Sequence, residues 1–250
     1  MIVSIYAFAR FGRESTLVEF LSFGGGVNSV ATLLLLKPRV LIFADTGDEY
    51  PETYAYISQY VLPFVQVYGG DFVVVRNKTY KSLRDQAISE RIIPVRLYRW
   101  CTDKWKIRPI REYLKRGALL PCVQMIAIDA GESHRARPSD RSEIINRFPL
   151  LERGLDRDDC LAIIEKHGWP GPPKSGCFYC PFQSKRRWIA LKRCHPELFQ
   201  IAVEMEKNGS NYGQLFLASD RPLEEYLKSG RIREDDAEST AALPCSCYDG

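Results

Sequence analysis

Short apolar runs alternate with polar or glycine-rich turns along the first half of the chain. The compact runs rich in β-branched and aromatic residues predict buried strands at residues 17–23, 39–44, 71–75 and 122–128. Segments with helical spacing lie between them, at residues 30–36, 50–64 and 107–115. This alternation predicts an α/β fold with an open, mainly parallel sheet and helices on both faces.

The pattern changes from about residue 149. Helical spacing recurs at residues 158–167, 185–192 and 196–207, and a proline-rich connector at 168–176 interrupts it. The last twenty residues show no periodicity before Cys245 and Cys247. We therefore predict two domains, a nucleotide-binding α/β domain at 1–148 and a helical, cysteine-bearing C-terminal lobe at 149–250.

Composition and charge limit the classes of protein to which this chain can belong. The 250 residues are 45% hydrophobic and 26% charged, and no apolar run approaches the roughly 20 residues of a membrane span. Without a signal-like start, we expect a cytoplasmic protein with no membrane partner. The net charge of +4 suits a protein that handles polyanions, although a solvated surface explains it equally well.

The segment Ser22–Ser29, which reads Ser-Phe-Gly-Gly-Gly-Val-Asn-Ser, predicts a strand, a glycine turn and a helix. Glycines let a ligand approach the backbone closely, and a helix N-terminus favours an anion. Ser22, Asn28 and Ser29 add side-chain donors, so the segment predicts a phosphate or pyrophosphate loop. A P-loop is excluded because its lysine is absent. A dinucleotide loop and a turn without ligand stay open, since Ser29 replaces the third Rossmann glycine.

Three polar segments follow predicted strands. They are Gly24–Ser29, Asp45–Asp48 and Asp129–Arg137, and the carboxyl ends of parallel strands are where ligands bind in such sheets. We expect them to line one cleft. Arg135 and Arg137 suit phosphate or sulfate oxygens, although a solvated loop is the alternative.

Eight cysteines in a reducing compartment indicate metal or redox chemistry rather than disulfides. Cys177 and Cys180 have the spacing of two metal ligands on one turn. Cys122 lies in a predicted strand and is interpreted as a core residue. For Cys194, which precedes His195, packing at a helix end is favoured over ligation.

Two motifs in register resemble a known group of proteins. The glycine segment resembles the pyrophosphate (PP) loop of the adenine nucleotide α-hydrolase superfamily, with Asn28 where aspartate is usual. The segment Asp45–Thr53, Asp-Thr-Gly-Asp-Glu-Tyr-Pro-Glu-Thr, resembles the motif after the second strand of PAPS reductase-like proteins. Arg99–Ile110 resembles a third segment of that family. The resemblance is greatest to the ATP pyrophosphatase component of bacterial DNA phosphorothioation systems.

This resemblance implies a Rossmann-like fold that binds ATP with Mg²⁺. The residues that match the ATP-contacting motifs are Ser22, Phe23, Gly24, Gly25, Gly26, Asn28, Ser29, Asp45, Thr46, Asp48 and Glu132. The candidates for catalysis are Ser29, Asp45, Lys106, Arg135 and Arg137. Asp45 or Asp48 would assist the phosphates in holding Mg²⁺.

The resemblance also implies a metal centre. The iron–sulfur sulfonucleotide reductases hold a 4Fe-4S cluster on a paired-cysteine segment and a later Cys-x-x-Cys. Here Trp100 replaces one of the paired cysteines, so the predicted ligands are Cys101, Cys160, Cys177 and Cys180. Four thiolates suit a cluster or zinc equally, and the resemblance favours the cluster.

The predicted function is an ATP pyrophosphatase that adenylates an acceptor oxygen for replacement by sulfur. By resemblance, the acceptor is a DNA backbone phosphate and the sulfur comes through a cysteine desulfurase. Lys185–Arg187 beside Trp188 is a candidate nucleic-acid contact, or simply a solvated helix face. The alternatives are tRNA thiolation, a sulfonucleotide reductase that uses Cys245 or Cys247, and a nucleic-acid-binding module with a vestigial nucleotide site, which Asn28 favours.

Overall fold

The computed structural model describes residues 17–96, 98–209, 216–218 and 221–228. The chain folds into two compact units, each assembled from several segments. Among the described residues, the first contains 17–44, Pro51–Val75 and Arg108–Ser175, and the second contains Asp45–Tyr50 and the described residues of 76–107 and 176–228. The division therefore differs from the predicted boundary after residue 148, and each unit is discontinuous in sequence.

The first unit contains a sheet of five parallel strands. They are β1 (Val18–Phe23), β2 (Val40–Ala44), β3 (Asp71–Val75), β4 (Cys122–Ile126) and β5 (Ile144–Arg147). Their order is β3-β2-β1-β4-β5, so β1 lies in the middle of the sheet and the later strands extend it in both directions. Leu21 of β1 pairs with Leu41 on one side and Met125 on the other. The predicted parallel α/β architecture is confirmed.

The helices alternate with these strands and continue beyond them. In chain order they are α1 (Val27–Leu36), α2 (Pro51–Tyr56), a π-helical turn (Ile57–Val61), α3 (Leu62–Val67), α4 (Leu83–Ser89), α5 (Trp100–Thr102), a second π-helical turn (Asp103–Ile107), α6 (Arg108–Arg116), a 3-10 helix (Ala130–Arg135), α7 (Pro149–Glu152), α8 (Arg157–Lys166), α9 (Lys185–Cys194), α10 (Pro196–Gly209) and α11 (Leu223–Lys228).

Alternating side chains of β2 explain how the sheet is covered on both faces. Leu41 and Phe43 point into the core that α1 and α8 share, whereas Ile42 points into the core that contains Leu114 of α6. All five residues of β2 are buried, as expected for a central parallel strand. Helices therefore pack on both faces of the sheet, as predicted.

The second unit is helical and has a hydrophobic core of its own. Trp105, Tyr179 and Trp188 are its largest fully buried side chains. Helices α9, α10 and α11 pack on one another, and α4 packs on α10. The predicted helical C-terminal lobe is therefore present. Among the described residues, none of the helices combines the length and apolar character that crossing a bilayer requires.

Candidate functional site

The glycine loop joins β1 to α1 in the first unit. Gly24 is exposed, and a Cβ atom built there would meet no protein atom within 4 Å. Gly25 has a φ of +76°, a conformation that favours glycine. Gly26 is the N-cap of α1 and no side chain caps the helix. The first-turn N–H groups of α1 therefore lack a side-chain acceptor, as in an anion site.

Two side chains, those of Ser175 and Thr53, pack closely against the loop. A Cβ atom on Gly26 would lie 2.9 Å from Oγ of Ser175, and one on Gly25 would lie 3.1 Å from Cγ2 of Thr53. At Gly25 the positive φ and this contact both favour glycine, and at Gly26 a side chain would require Ser175 to move. Only Gly24 has open space beside it, which is where a ligand could approach the backbone.

Asn28 connects the glycine loop to the segment after β4. Its Nδ2 donates to Oδ2 of Asp129 at 2.9 Å, and Oδ1 of the same carboxylate accepts from the backbone N–H of Glu132 at 3.0 Å. Two of the three predicted loops are therefore joined within the first unit. The third, Asp45–Asp48, lies in the segment Asp45–Tyr50 of the second unit.

Two buried polar atoms at the glycine loop have no hydrogen-bond partner among the described residues. They are Oδ1 of Asn28 and Oγ1 of Thr53, the latter in a fully buried side chain. A buried polar atom without a partner costs about 1–3 kcal/mol, so such atoms usually meet water or a ligand. This observation fits a polar ligand at the loop.

Other residues predicted to contact ATP play more structural roles. The Ser29 hydroxyl donates to the carbonyl of Gly26 at 2.9 Å and is buried in the first turn of α1. The ring of Phe23 packs edge-on against Phe43 and Phe72 in the core, so only its backbone can face a ligand. Ser22 is half-buried on β1.

The loop after β4 presents basic side chains to solvent. Arg135 is 54% exposed and forms an ion pair with Glu132, three residues earlier. Arg137 is exposed, and its carbonyl accepts from Nδ2 of Asn146 at 3.0 Å, which fixes the backbone there.

In the second unit, the segment Asp45–Tyr50 is held against the turn that contains Cys177 and Cys180. Asp48 accepts a hydrogen bond from the Tyr179 hydroxyl at 2.7 Å and another from the backbone N–H of Arg84 at 2.8 Å. Burial raises the pKa of Asp48, although these bonds oppose the shift. The backbone of Glu49 forms an antiparallel bridge with Cys177.

The carboxylates predicted to hold Mg²⁺ are already engaged. Oδ2 of Asp45 accepts from Nε of Arg76 at 2.9 Å, and its Oδ1 accepts from the N–H of Gly47 at 2.8 Å. Asp48 is satisfied by Tyr179 and Arg84. Magnesium prefers oxygen ligands arranged in a near-ideal octahedron. As they stand, these two carboxylates do not fit a magnesium site.

Three of the four predicted cysteine ligands lie in the second unit. Cys177 is buried, and its Sγ lies 3.1 Å from Oγ1 of Thr46. Burial is the main cause of a raised pKa at Cys101, Cys177 and Cys180 alike. These thiols are therefore protonated at neutral pH when no metal is bound.

Lys106 lies beside this cysteine cluster. Its Nζ is 4.0 Å from Oε1 of the buried Glu49, and its side chain is 45% exposed, so water weakens the pair. Burial lowers the pKa of Lys106, but Glu49 and the three thiols outweigh it and raise the pKa above its usual value. A positive charge thus faces the cysteines, as a thiolate or anionic substrate would require.

Cys160 belongs to the first unit, where it is fully buried in the apolar core between α8 and α1. Burial raises its pKa to about 12, the value of an inert core thiol. Across the described ranges, no three or more Cys, His, Asp or Glu side chains are placed to hold a metal ion. The described residues thus do not present the four-thiolate set, and a cluster or zinc stays a prediction. Cys245 and Cys247 lie outside the described residues.

Residues 19–124 match the family model of the phosphoadenosine phosphosulfate reductase domain. The match supports a place in the PAPS reductase-like superfamily. The glycine loop, the Asp45–Tyr50 segment and Cys101 lie inside the matched region, whereas Asp129 and the Cys177–Cys180 turn lie outside it.

Individual proteins are similar over most of the chain. Two uncharacterised proteins of Methanocaldococcus jannaschii are 26% identical over 205 residues and 23% identical over 199 residues. These alignments cover 74% and 72% of this chain but 47% and 39% of the relatives, so the chain spans less than half of their length. PAPS reductase from Candida auris, solved as a phosphate complex, aligns with a TM-score of 0.47 and 18% identity, over 63% of this chain and 76% of that one.

Proposed function

We propose that the protein is an ATP pyrophosphatase that adenylates an acceptor oxygen. The observation that carries the proposal is the uncapped N-terminus of α1, next to the open space at Gly24. The backbone N–H groups there suit the pyrophosphate of ATP. The unpartnered atoms of Asn28 and Thr53 give the same loop further polar contacts.

The residues present suit catalysis by positioning and charge stabilisation. An oxygen of the acceptor attacks the α-phosphorus, the bond to the bridging oxygen breaks, and pyrophosphate leaves with the electron pair. The glycine loop holds the leaving group, and Asp129 holds the loop through Asn28. Arg135 and Arg137 are the exposed cations of the first unit nearest in sequence to Asp129. We assign them the role of stabilising the negative charge that develops on the α-phosphate.

The acceptor and the sulfur source follow from the sequence resemblance. We propose a DNA backbone phosphate as the acceptor and a cysteine desulfurase as the sulfur donor. Lys106 lies beside the thiols of Cys101, Cys177 and Cys180 and would stabilise a thiolate once a proton has been removed from one of them, which supports a sulfur-handling role. The match to a PAPS reductase domain keeps sulfonucleotide reduction as the second candidate.

Pyrophosphate release from ATP and Mg²⁺ tests the proposal. Gly24→Ala introduces a methyl group into open space at a position without positive φ, so the fold should be unchanged. The methyl group would separate the phosphate from the backbone, and the loss of one hydrogen bond to a charged group weakens binding by about 10- to 100-fold. The matched control is Gly171→Ala in the same unit, whose Cβ would lie 3.7 Å from Leu161 in ordinary contact.

Each outcome is decisive. Release of pyrophosphate that needs about 10- to 100-fold more ATP in Gly24→Ala, and that is unchanged in Gly171→Ala, supports the proposal. Release that is equal in both variants contradicts the role of the loop. Sulfite formation from PAPS without pyrophosphate release from ATP would instead establish the reductase.

A further inference from the structure

In the second unit, the segment 96–99 and the turn after Cys180 expose aromatic rings and arginines to solvent. We call the residues Arg96, Tyr98, Arg99 and Phe182 the aromatic–basic patch. Tyr98 is 67% exposed and Phe182 is 53% exposed, and within the described residues no other aromatic side chain is as exposed. Exposed rings cost free energy in water, so they often mark a binding surface.

The two arginines both lie close to the ring of Phe182. Their guanidinium carbons lie 5.8 Å and 5.4 Å from the ring centre, for Arg96 and Arg99 respectively. A hydrogen bond also holds the side chain of Arg96 in place, because its Nε donates to the carbonyl of Pro181 at 2.6 Å. In the part of the chain that the structure describes, neither guanidinium is paired with a carboxylate, so both charges are available to an anion.

The backbone of this patch is held in a specific conformation. Arg99 has a φ of +44°, which costs a residue with a side chain about 1–2 kcal/mol. Its N–H donates to the carbonyl of Val95 at 3.3 Å, and the indole of Trp100 donates to the carbonyl of Ile93 at 3.0 Å. These bonds keep the strained turn in place and present Arg99 next to Phe182.

The charge of the surrounding segments suits a polyanion. Residues 91–107 contain five Lys or Arg residues and one acidic residue, and residues 176–194 contain five and none. The basic run beside Trp188 does not itself form a stacking surface, because Trp188 is fully buried and Arg187 is 8% exposed. The exposed aromatic side chains lie instead at positions 98 and 182.

We propose that the aromatic–basic patch binds single-stranded nucleic acid. Exposed rings stack on unpaired bases, while arginines contact the phosphates between them. A duplex hides its base faces, so it could use only the charges of this surface. An acidic protein would satisfy the arginines but would leave the rings of Tyr98 and Phe182 without partners. Binding of a single strand to this patch needs no ATP. The inference therefore does not rest on the proposed ATP pyrophosphatase activity.

Fluorescence anisotropy of the full chain with a labelled 15-nucleotide single strand tests this proposal. Comparing DNA and RNA strands of the same sequence shows which of the two nucleic acids the patch binds more tightly. Phe182→Ala or Tyr98→Ala should weaken binding by roughly 5- to 150-fold, the range for loss of one stacked base. Arg96→Gln should lower the slope of log affinity against log salt by about 0.7, the value for one phosphate contact on a single strand.

Two control variants in the first unit match these changes. Arg157→Gln removes one exposed positive charge, and Val67→Ala removes an apolar group that is 86% exposed. Both should bind the strand as the parent protein does, and circular dichroism should show that every variant is folded. Absence of binding, equal affinity for a duplex, equal loss in the controls, or stronger binding of polyglutamate would each overturn the proposal.

Discussion

Replacing Tyr179 with phenylalanine tests how the cysteine turn is held against the Asp45–Tyr50 segment. The Tyr179 hydroxyl donates to Oδ2 of Asp48 at 2.7 Å, and the two side chains are 0% and 3% exposed. A hydrogen bond to a buried charged group contributes about 1.5–3 kcal/mol, and phenylalanine leaves no cavity. We expect Tyr179→Phe to lower the free energy of unfolding by about 2 kcal/mol.

A double-mutant cycle isolates this bond. Asp48→Asn alone also loses stability, and the pair Tyr179→Phe with Asp48→Asn should lose less than the sum of the two. Urea unfolding followed by tryptophan fluorescence suits the measurement, because Trp105 and Trp188 are buried in the second unit.

The control for this cycle is Tyr113→Phe. The Tyr113 hydroxyl is half-buried and has no hydrogen-bond partner among the described residues, so its loss should change stability little. A coupling energy below about 0.5 kcal/mol would refute the reasoning, because such a value is the ordinary error of additivity.

Two further predictions concern Glu49 and Cys160. Burial raises the pKa of Glu49 above its usual 4.5. Between pH 4.5 and this raised pKa, the folded state therefore binds more protons than the unfolded state. Stability should therefore fall as the pH rises from about 4.5 through the folded pKa, and Glu49→Gln should remove this fall in urea titrations. Cys160→Ala should cost about 1 kcal/mol of stability and leave the iron or zinc content unchanged; loss of metal from this variant would show that Cys160 is a ligand.

The sequence predicts the sheet well because its central strands are buried on both faces. Their uninterrupted apolar runs stand out, and four of the five strands were predicted within a few residues. The fifth, β5, was not predicted. It has four residues at the edge of the sheet, and only Ile144 among them is buried, so it resembles the polar loop that precedes it.

The division into units could not be read from the sequence. The helix α8 follows the predicted boundary, yet Cys160 and Ile164 on its buried face pack on the core of the sheet. Conversely, the segment Asp45–Tyr50 directly follows β2 but packs with residues more than 120 positions later, such as Tyr179. Periodicity reports local structure, and it carries no signal for which distant segments share a core.

Asn28 shows what the structure adds to a motif. In sequence it stands where the resembling loops have aspartate, and that departure favoured a vestigial nucleotide site. In the structure its amide donates to the carboxylate of Asp129 at 2.9 Å. An aspartate at position 28 would place two carboxylates at that distance, with repulsion in place of a hydrogen bond. Asn28 is therefore matched to Asp129, and the glycine loop keeps the open backbone and polar atoms that a nucleotide site requires.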